Sequence, residues 1–227
     1  MYLYETHMHT FPVSACASSL PGEQVRAYRQ RGYAGVIVTD HFVNGNSACP
    51  RGLPWERKMK FFLSGYEETK IAGDACGIDV FLGWEFNVGG AEFLTYGLDA
   101  GFLYAHPGLD ALTVEQYSAL VRSHGGFLAQ AHPYRVGWWI ESTQPVEPDL
   151  IDAIEVYNAS MPDEINAQAI DFARLRDLPM QAGSDAHHTN LAFTSGIALS
   201  KKAESIFDII EAIKTKQAKL ILKDGPI

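Results

Sequence analysis

Histidines and carboxylates recur at the ends of short apolar segments of this chain. The first such segment, residues 2–11, alternates apolar and polar residues and contains His7 and His9. Successive side chains of a β-strand point to opposite faces, so the two imidazoles share one face. Two buried imidazoles side by side need two sets of polar partners, and a shared metal ion meets that need better than a packed core does.

Further polar residues stand where later predicted strands end: Asp40 and His41, Glu85, His132, Asn158, and Asp185 with His187. In a parallel α/β barrel the carboxyl ends of the strands open on one face, where active sites are built. The sequence therefore predicts that these distant residues meet at one barrel mouth. Imidazole and carboxylate ligands suit zinc, manganese or iron, and their number predicts a cluster of two or three divalent ions.

A glycine pair predicts how Glu92 joins this set. Gly89-Gly90 is typical of a two-residue hairpin turn. In that register Asn87 faces Glu92, and Glu85 falls on the same face of the hairpin. His106 and His124 are less well placed, one in a loop after the hairpin and one at a helix end.

Alternating strand and helix patterns predict an α/β protein in which residues 1–227 form a single domain. Strands are predicted over residues 2–11, 34–39, 78–87, 91–98, 127–131, 152–157, 180–182, 196–199 and 219–222. Helices are predicted over residues 23–31, 55–76, 164–176 and 204–216, with another that opens at the capping box 113–116 and ends at the glycine pair 125–126.

Composition excludes several classes of function. The net charge of −9 argues against broad binding of nucleic acid phosphates. No apolar run is long enough to cross a bilayer and no basic leader precedes one, which predicts a cytoplasmic protein without membrane contact.

Three cysteines without CxxC spacing do not predict a disulfide framework. GxSxG, GxGxxG and GxxxxGK[ST] motifs are absent from the sequence.

Six motifs in order resemble those of the PHP family, which includes histidinol phosphatases and the N-terminal domains of bacterial replicative DNA polymerases. They are HMHT at 7–10, TDH at 39–41, GWE at 83–85, AHP at 131–133, VYN at 156–158 and GSDAH at 183–187. Together they span nearly the whole chain. The resemblance implies a distorted (βα)7 TIM-like barrel with a trinuclear metal site at the carboxyl ends of the strands.

The resemblance also implies a ligand set, with Glu85 as the bridge between ions: His7, His9, His41, Glu85, His132, Asp185 and His187. Two positions depart from the family pattern. Cys16 lies in a loop where family members often carry Asp or His, and it is either a thiolate ligand or a small buried cysteine. Glu92 stands where a His is common, and a carboxylate there shifts the preference towards harder ions such as Mn²⁺.

Hydrolysis of a small phosphate monoester or nucleotide is the activity we expect from this resemblance, with water activated by the ions. The candidate catalytic residues are Asp40, Arg135 and Asn158. Arg135 would hold phosphoryl oxygens or is an ordinary surface guanidinium. Asp40, together with Glu5, would accept hydrogen bonds that orient ligand imidazoles.

Aromatic residues after the AHP motif, Tyr134, Trp138 and Trp139, either line the substrate pocket or cover the edge of the core. Two other functions stay open. One is a different metal-dependent barrel hydrolase of the amidohydrolase kind, against which stands the lack of a lysine at a strand end to form a bridging carbamate. The other is a PHP module without catalytic activity.

Overall fold

A single ten-stranded sheet organises the part of the chain that the structure describes. The computed structural model describes residues 1–137, 140, 143–190, 194–223 and 225–226. The strands in chain order are β1 Tyr2–Met8, β2 Tyr33–Val38, β3 Asp79–Val88, β4 Ala91–Tyr96, β5 Phe127–Gln130, β6 Ala153–Asn158, β7 Met180–Gly183, β8 Gly196–Leu199, β9 Lys219–Leu222 and β10 Gly225–Pro226. Their order in the sheet is β10-β9-β8-β1-β2-β3-β4-β5-β6-β7.

Helices cover the sheet on its outer side. Within the described ranges they are α1 Pro21–Gln30, α2 Trp55–Cys76, α3 Ala100–Ala105, α4 Val114–Ser123, α5 Asp163–Leu175 and α6 Ile206–Lys214. Short 3₁₀ turns lie at Leu109–Ala111 and Pro148–Leu150. No helix in these ranges has the length and apolar character that a membrane span requires.

Strands β1 to β7 curve into a nearly closed barrel. The pairs β1–β2, β2–β3, β5–β6 and β6–β7 are parallel. The barrel closes between β1 and the end of β7, where Met8 and Ala186 form a parallel bridge. The His9 amide donates to the Ala186 carbonyl at 2.9 Å, and the Ala186 amide donates to the His7 carbonyl at 3.2 Å. The predicted distorted TIM-like barrel is therefore confirmed.

The regular (βα)7 repeat is interrupted at two connections. Strands β3 and β4 pair antiparallel through the two-residue turn Gly89-Gly90, which is too short to contain a helix. Strands β4 and β5 are also antiparallel, and β5 reaches β6 through a segment with the 3₁₀ turn Pro148–Leu150. Strand β4 thus runs against its neighbours and contributes its amino end, with Glu92, to the barrel mouth.

Local hydrogen bonds explain where predicted and observed boundaries differ. The first strand ends at Met8, and beyond it the amide and hydroxyl of Thr10 donate to the Asp40 side chain instead of continuing the strand pairing with β2. Helix α6 begins at Ile206, two residues after the predicted start, because the Ser205 amide donates to the Asp208 carboxylate at 2.8 Å as part of a capping box.

The core beneath the mouth is rich in aromatic side chains. Trp84 and Phe86 of β3 pack outward against helices, where the Trp84 indole donates to the Tyr117 hydroxyl at 2.5 Å. Because adjacent residues of a strand face opposite sides, the intervening Glu85 points into the barrel. Burial of its aromatic neighbours therefore fixes the direction of Glu85.

Candidate metal centre

His7 and His9 face each other at the barrel mouth with their Nε2 atoms 3.1 Å apart. Both side chains are buried. His7 Nδ1 lies 3.0 Å from Glu155 Oε1, and His9 Nδ1 lies 3.1 Å from Ser14 Oγ. With Nδ1 as the donor in each contact, the Nε2 lone pairs point into the centre, which is the form that binds a metal ion.

Asp185 joins this pair from the closing edge of the barrel. Its Oδ1 lies 3.1 Å from His9 Nε2 and 3.4 Å from His7 Nε2. The backbone of Asp185 has a φ of 53°, in the left-handed region that non-glycine residues rarely adopt. Together the three side chains form one group whose potential ligand atoms lie within 4.8 Å of one another.

Glu85 is placed between the imidazoles of four histidines. Its Oε1 lies 3.0 Å from His132 Nε2 and 3.3 Å from His7 Nε2. Its Oε2 lies 2.6 Å from His41 Nδ1 and 3.6 Å from His9 Nε2. A carboxylate with one oxygen towards each side of the centre has the geometry of a bridging ligand.

Glu92 enters from the neighbouring strand in the predicted register. Asn87 pairs with Glu92 across the hairpin, and the Asn87 side-chain amide donates to Glu92 Oε1 at 3.3 Å. Glu92 Oε2 lies 3.6 Å from His132 Nε2 and 2.5 Å from Arg135 Nη2. His41, Glu85 and Glu92 form a second group of converging ligand atoms.

His187 and Cys16 border the open side of the centre. The His187 ring stacks on His9 with centroids 4.4 Å apart, and His9, His41 and His187 form a third group. Cys16 is an exposed residue and lines the same cavity as His187 and His41. Partial burial raises the pKa of this thiol, but the two imidazoles outweigh burial and bring the pKa to about 7.

The arrangement fits divalent cations better than an ordinary hydrogen-bond network. His41 Nδ1 and Glu85 Oε2 are buried and close together, yet neither makes a hydrogen bond of normal geometry. Buried polar atoms are usually satisfied, and those that are not need an explanation. Ligand atoms that converge on a cation provide one, and imidazoles with carboxylates are the ligands that such ions prefer.

Charges in the centre are strongly coupled. Burial opposes ionisation of Glu85 and Asp185, but the imidazoles around them outweigh it and hold both pKa values well below the usual range. Burial, reinforced by His41 and His187, holds the pKa of His9 well below its usual value. The carboxylates are therefore ionised and His9 is neutral, whereas the neighbouring carboxylates outweigh burial and hold the pKa values of His7 and His41 well above the usual value.

Glu155 contacts the centre although the sequence analysis did not identify it. Its Oε1 contacts His7 Nδ1, and its Oε2 accepts from the His132 amide at 3.0 Å and the Asn158 side-chain amide at 2.9 Å. The signal for it was one carboxylate in the otherwise apolar start of β6, AIEVYN. A buried charge in such a strand needs a polar partner, and here the partners are metal-ligand candidates and the loop after β5.

Asp40 and Glu5, expected to orient ligand imidazoles, contact hydroxyl and backbone groups near the histidines rather than the imidazole rings. Asp40 accepts from the Thr10 amide at 2.6 Å and from the Ser14 hydroxyl at 2.7 Å, so it reaches His9 only through Ser14. Glu5 accepts from the backbone amide of His7 at 2.8 Å rather than from its ring. Through these contacts Glu5 holds the backbone of His7, and Asp40 holds the loop that follows His9.

The other two candidate catalytic residues lie at different depths. The Asn158 side chain is buried, donates to Glu155 and to Asp185 Oδ2 at 3.4 Å, and accepts from the Ser160 hydroxyl at 2.6 Å. Its contacts therefore hold Asp185 in place. Arg135 lines the open side of the centre and pairs with Glu92.

Several predicted candidates lie away from the centre or outside the described residues. His106 and His124 pack edge to face at 5.0 Å and line a separate cavity at the other end of β4. Tyr134 packs against Phe172 at the edge of the core, which is the structural alternative predicted for it. Trp138 and Trp139 lie outside the described residues.

Two cavities open on the centre and share Asp185 and His187 in their walls. The first has a volume of about 690 Å³ and includes Cys16, Asn46 and Arg135 among its lining residues. The second has a volume of about 460 Å³ and is lined in part by Tyr157, Ser160, Met161 and Lys223.

Comparisons with known proteins bear on the fold. A family profile described as PHP-associated matches residues 163–190. No curated protein sequence matches the chain. A two-domain protein from Bacteroides vulgatus, described as containing a predicted PHP-like metal-dependent phosphoesterase, shares its fold with a TM-score of 0.70 and 16% identity over 96% of this chain. The present chain spans 64% of the length of that protein.

Two further solved structures share the fold. A candidate metal-dependent phosphoesterase from Bifidobacterium adolescentis aligns with a TM-score of 0.59 and 15% identity over 94% of this chain and 96% of its own. An amidohydrolase from Chromobacterium violaceum, solved with bound sulfate and no metal, aligns with a TM-score of 0.58 and 15% identity over 92% of this chain and 96% of its own.

Fold and site together define a distorted α/β barrel with a histidine and carboxylate centre suited to divalent metal ions. The resemblance to the PHP family drawn from the six motifs is confirmed by the PHP-associated profile and the shared PHP-like fold.

Proposed function

We propose that this protein is a metal-dependent phosphoesterase that hydrolyses a small phosphate ester. The observation that carries the proposal is the position of Glu85, whose two oxygens lie 2.6 to 3.3 Å from nitrogens of His41, His132 and His7 at the barrel mouth. We also propose that residues 1–227 act as one PHP-type barrel domain.

Two or three divalent ions, zinc, manganese or iron, are the cofactors of this proposal. The residues that would hold them are His7, His9, Cys16, His41, Glu85, Glu92, His132, Asp185 and His187. When bound, such ions supply the Lewis acidity that makes water a nucleophile at neutral pH and offset the charge of the phosphoryl group.

The chain itself prepares the site for this chemistry. Glu155 and Ser14 hold the protons of His7 and His9 on Nδ1, so that Nε2 of both rings is available as a ligand. Arg135 pairs with Glu92 at the wall of the first cavity and, in this proposal, would donate to phosphoryl oxygens while Glu92 orients its guanidinium.

The direct test combines elemental analysis of the purified protein with a phosphate-release screen over phosphorylated metabolites. We expect bound divalent metal, release of phosphate after metal loading, and loss of both in His9→Ala. The matched control is His124→Ala, which removes an exposed imidazole far from the centre. A fully metal-loaded protein that hydrolyses no phosphate ester would refute the proposal and favour a module without catalytic activity.

A second candidate is hydrolysis of an amide or lactone, favoured by the fold shared with an amidohydrolase. No lysine lies in the residues that directly follow strands β1 to β7, so a carbamate bridge between ions has no obvious donor in the sequence. A panel of amides and lactones, tested beside aryl phosphates on the same metal-loaded sample, separates the two activities.

A further inference from the structure

Glu92 differs from Glu85, the other glutamate of its group, in the atoms that surround it. Both oxygens of Glu85 lie among imidazole nitrogens of candidate ligands, at distances from 2.6 to 3.6 Å. Glu92 Oε2 instead lies 2.5 Å from Arg135 Nη2, while imidazole nitrogens of His132 and His41 lie 3.6 Å and 3.7 Å from the Glu92 oxygens. Glu92 thus already pairs with a cation that the protein itself supplies.

The pair of Arg135 and Glu92 is largely enclosed. The Glu92 side chain is 5% exposed and the Arg135 side chain is 14% exposed. The Arg135 amide donates to the His132 carbonyl at 3.3 Å and the Thr143 amide donates to the Arg135 carbonyl at 2.9 Å, so backbone contacts hold the arginine beside the centre. In so enclosed a place, loss of one member of the pair leaves an uncompensated charge.

Glu92 belongs to the group of converging ligand atoms that it forms with His41 and Glu85. This group has two carboxylates and one imidazole, whereas each of the other groups found among the described residues has at most one carboxylate. The guanidinium of Arg135 lies beside it, in the wall of the first cavity. Because like charges repel, a metal ion in this group would have to bind against the charge of Arg135.

The charge of the surroundings limits how many cations the centre can hold. Among the described residues, four carboxylates contact its imidazoles: Glu85, Glu92, Asp185 and Glu155. Two divalent ions balance these charges, and Arg135 adds one positive charge that favours an anionic substrate. A third ion would leave a larger positive excess in a buried site, and unpaired buried charge is costly.

We propose that the guanidinium of Arg135 takes the place of a third metal ion beside Glu92, so that the centre holds two divalent ions. This inference rests on the proposed metal-dependent phosphoesterase and narrows its two or three ions to two. Glu92 then pairs with Arg135 rather than with an ion. A guanidinium has donors but no bound water to activate, so the part of Arg135 is to neutralise Glu92 and to hold an anionic group.

The experiment counts bound ions by elemental analysis after gel filtration of protein saturated with manganese or zinc. We expect about two ions per chain in the wild type and about three in Arg135→Ala, because the unpaired carboxylate of Glu92 then needs another cation. Arg135→Lys keeps the positive charge and should bind as many ions as the wild type. The matched control Arg174→Ala removes an exposed guanidinium from the last turn of α5 and should leave the count unchanged.

A double variant identifies the carboxylate responsible. Adding Glu92→Gln to Arg135→Ala removes the charge that attracts the additional ion, so the count should return to that of the wild type. Calorimetric titration of the metal-free proteins gives a second readout, in which Arg135→Ala alone should show an additional binding step. Circular dichroism verifies folding, and Arg135→Gln, which keeps most of the side chain, replaces the alanine variant if that variant is unfolded.

Each result has a defined meaning. A third ion in the wild type, or equal counts in the wild type and Arg135→Ala, overturns this inference. The phosphoesterase proposal still stands in both cases if the same wild-type sample releases phosphate from its ester. Absence of bound metal from the wild type and from every variant overturns both.

Discussion

At the scale of single residues, Glu155 shows how the centre depends on side chains that touch no ion. It accepts from the ring of His7, the backbone amide of His132 and the side-chain amide of Asn158, so one carboxylate orients groups from β1, β6 and the loop after β5. Partners of this kind raise the basicity of the ligands they hold and fix their tautomers.

Replacing Glu155 by Gln should therefore weaken metal binding without unfolding the protein. The amide keeps the shape but loses one acceptor and the negative charge, and we expect metal affinity to fall about 10- to 100-fold. Competition with a chromogenic chelator measures the change. Glu164→Gln, an exposed position at the start of α5, is the control. Equal affinities in the two variants would show that Glu155 has no part in the centre.

The pKa of Asp40 leads to a prediction about how the stability of the protein depends on pH. Burial raises its pKa to about 6, although hydrogen bonds from Thr10 and Ser14 lower it in part. A carboxyl with a raised folded-state pKa binds a proton more readily when folded, so its contribution to stability grows as pH falls through 6 and is lost as pH rises. Relative to Asp40→Asn, the metal-free wild type should gain about 1 kcal/mol of unfolding free energy between pH 7.5 and pH 5.

Urea denaturation in the presence of chelator measures this difference, and the subtraction removes the contributions of the other titrating groups. Parallel pH profiles for the two proteins would contradict the assignment of a raised pKa to Asp40.

The residues of the centre were predictable to different degrees. His7, His9 and Asp185 stand at the ends of apolar runs, and strand geometry alone indicates where they point. The roles of Ser14 and Glu155 depend on contacts with residues far along the chain, Asp40 for one and His7 for the other. Local pattern contains no information about such contacts, so these roles appear only in the folded structure.

At the scale of elements, helix α2 packs unusually close to the loop that follows β1. A Cβ atom built on Gly65 would lie 2.5 Å from Asp40 Oδ2 and 3.0 Å from Val13 Cγ2, with Thr10 Oγ1 nearer still. A glycine inside a helix costs about 1 kcal/mol in helix propensity. The close approach explains why glycine is favoured at position 65 of this helix.

Gly65→Ala should consequently destabilise the protein, even though alanine is the better helix former. The added methyl group must displace the hydrogen bonds of Asp40, and overpacking of this kind costs about 1 to 3 kcal/mol. Thermal unfolding followed by circular dichroism gives the change, and metal affinity should fall with it. The substitution Glu68→Ala at an exposed position of the same helix serves as the reference. If Gly65→Ala raised the melting temperature as much as Glu68→Ala does, the close approach at Gly65 would be refuted.

Elements whose limits depend on nearby residues were predicted well. Helix α2 spans the predicted residues 55–76, and the hairpin turn lies at the predicted Gly89-Gly90. By contrast, the antiparallel pairing of β4 with β5 and the addition of β8 beside β1 link segments that no local pattern connects. The barrel was therefore expected from the PHP-like motifs, while its irregular strand order was not.

At the scale of the whole molecule, the centre concentrates charge in the interior. The carboxylates of Glu85, Glu92 and Asp185 lie among five histidines with little exposure of any of the acids. Bound cations would offset this charge and link strands from both halves of the barrel, so metal binding should stabilise the fold as a ligand does.

Removal of metal should lower the melting temperature. Saturation at 100 times the Kd contributes about 2.7 kcal/mol, which for a chain of this size corresponds to roughly 5 to 10 °C. Differential scanning calorimetry with and without chelator tests this, and His9→Ala should show a smaller shift. A melting temperature that is indifferent to chelator in the wild type would argue against a metal centre that joins the two halves.

The seam between Met8 and Ala186 has a consequence for the biogenesis of the protein. During synthesis His7 and His9 leave the ribosome long before Asp185 and His187, which stand far along the sequence. A partly made chain therefore displays isolated imidazoles and acids, which hold ions weakly. Loading of metal ions should for that reason wait until the segment with Asp185 and His187 has left the ribosome.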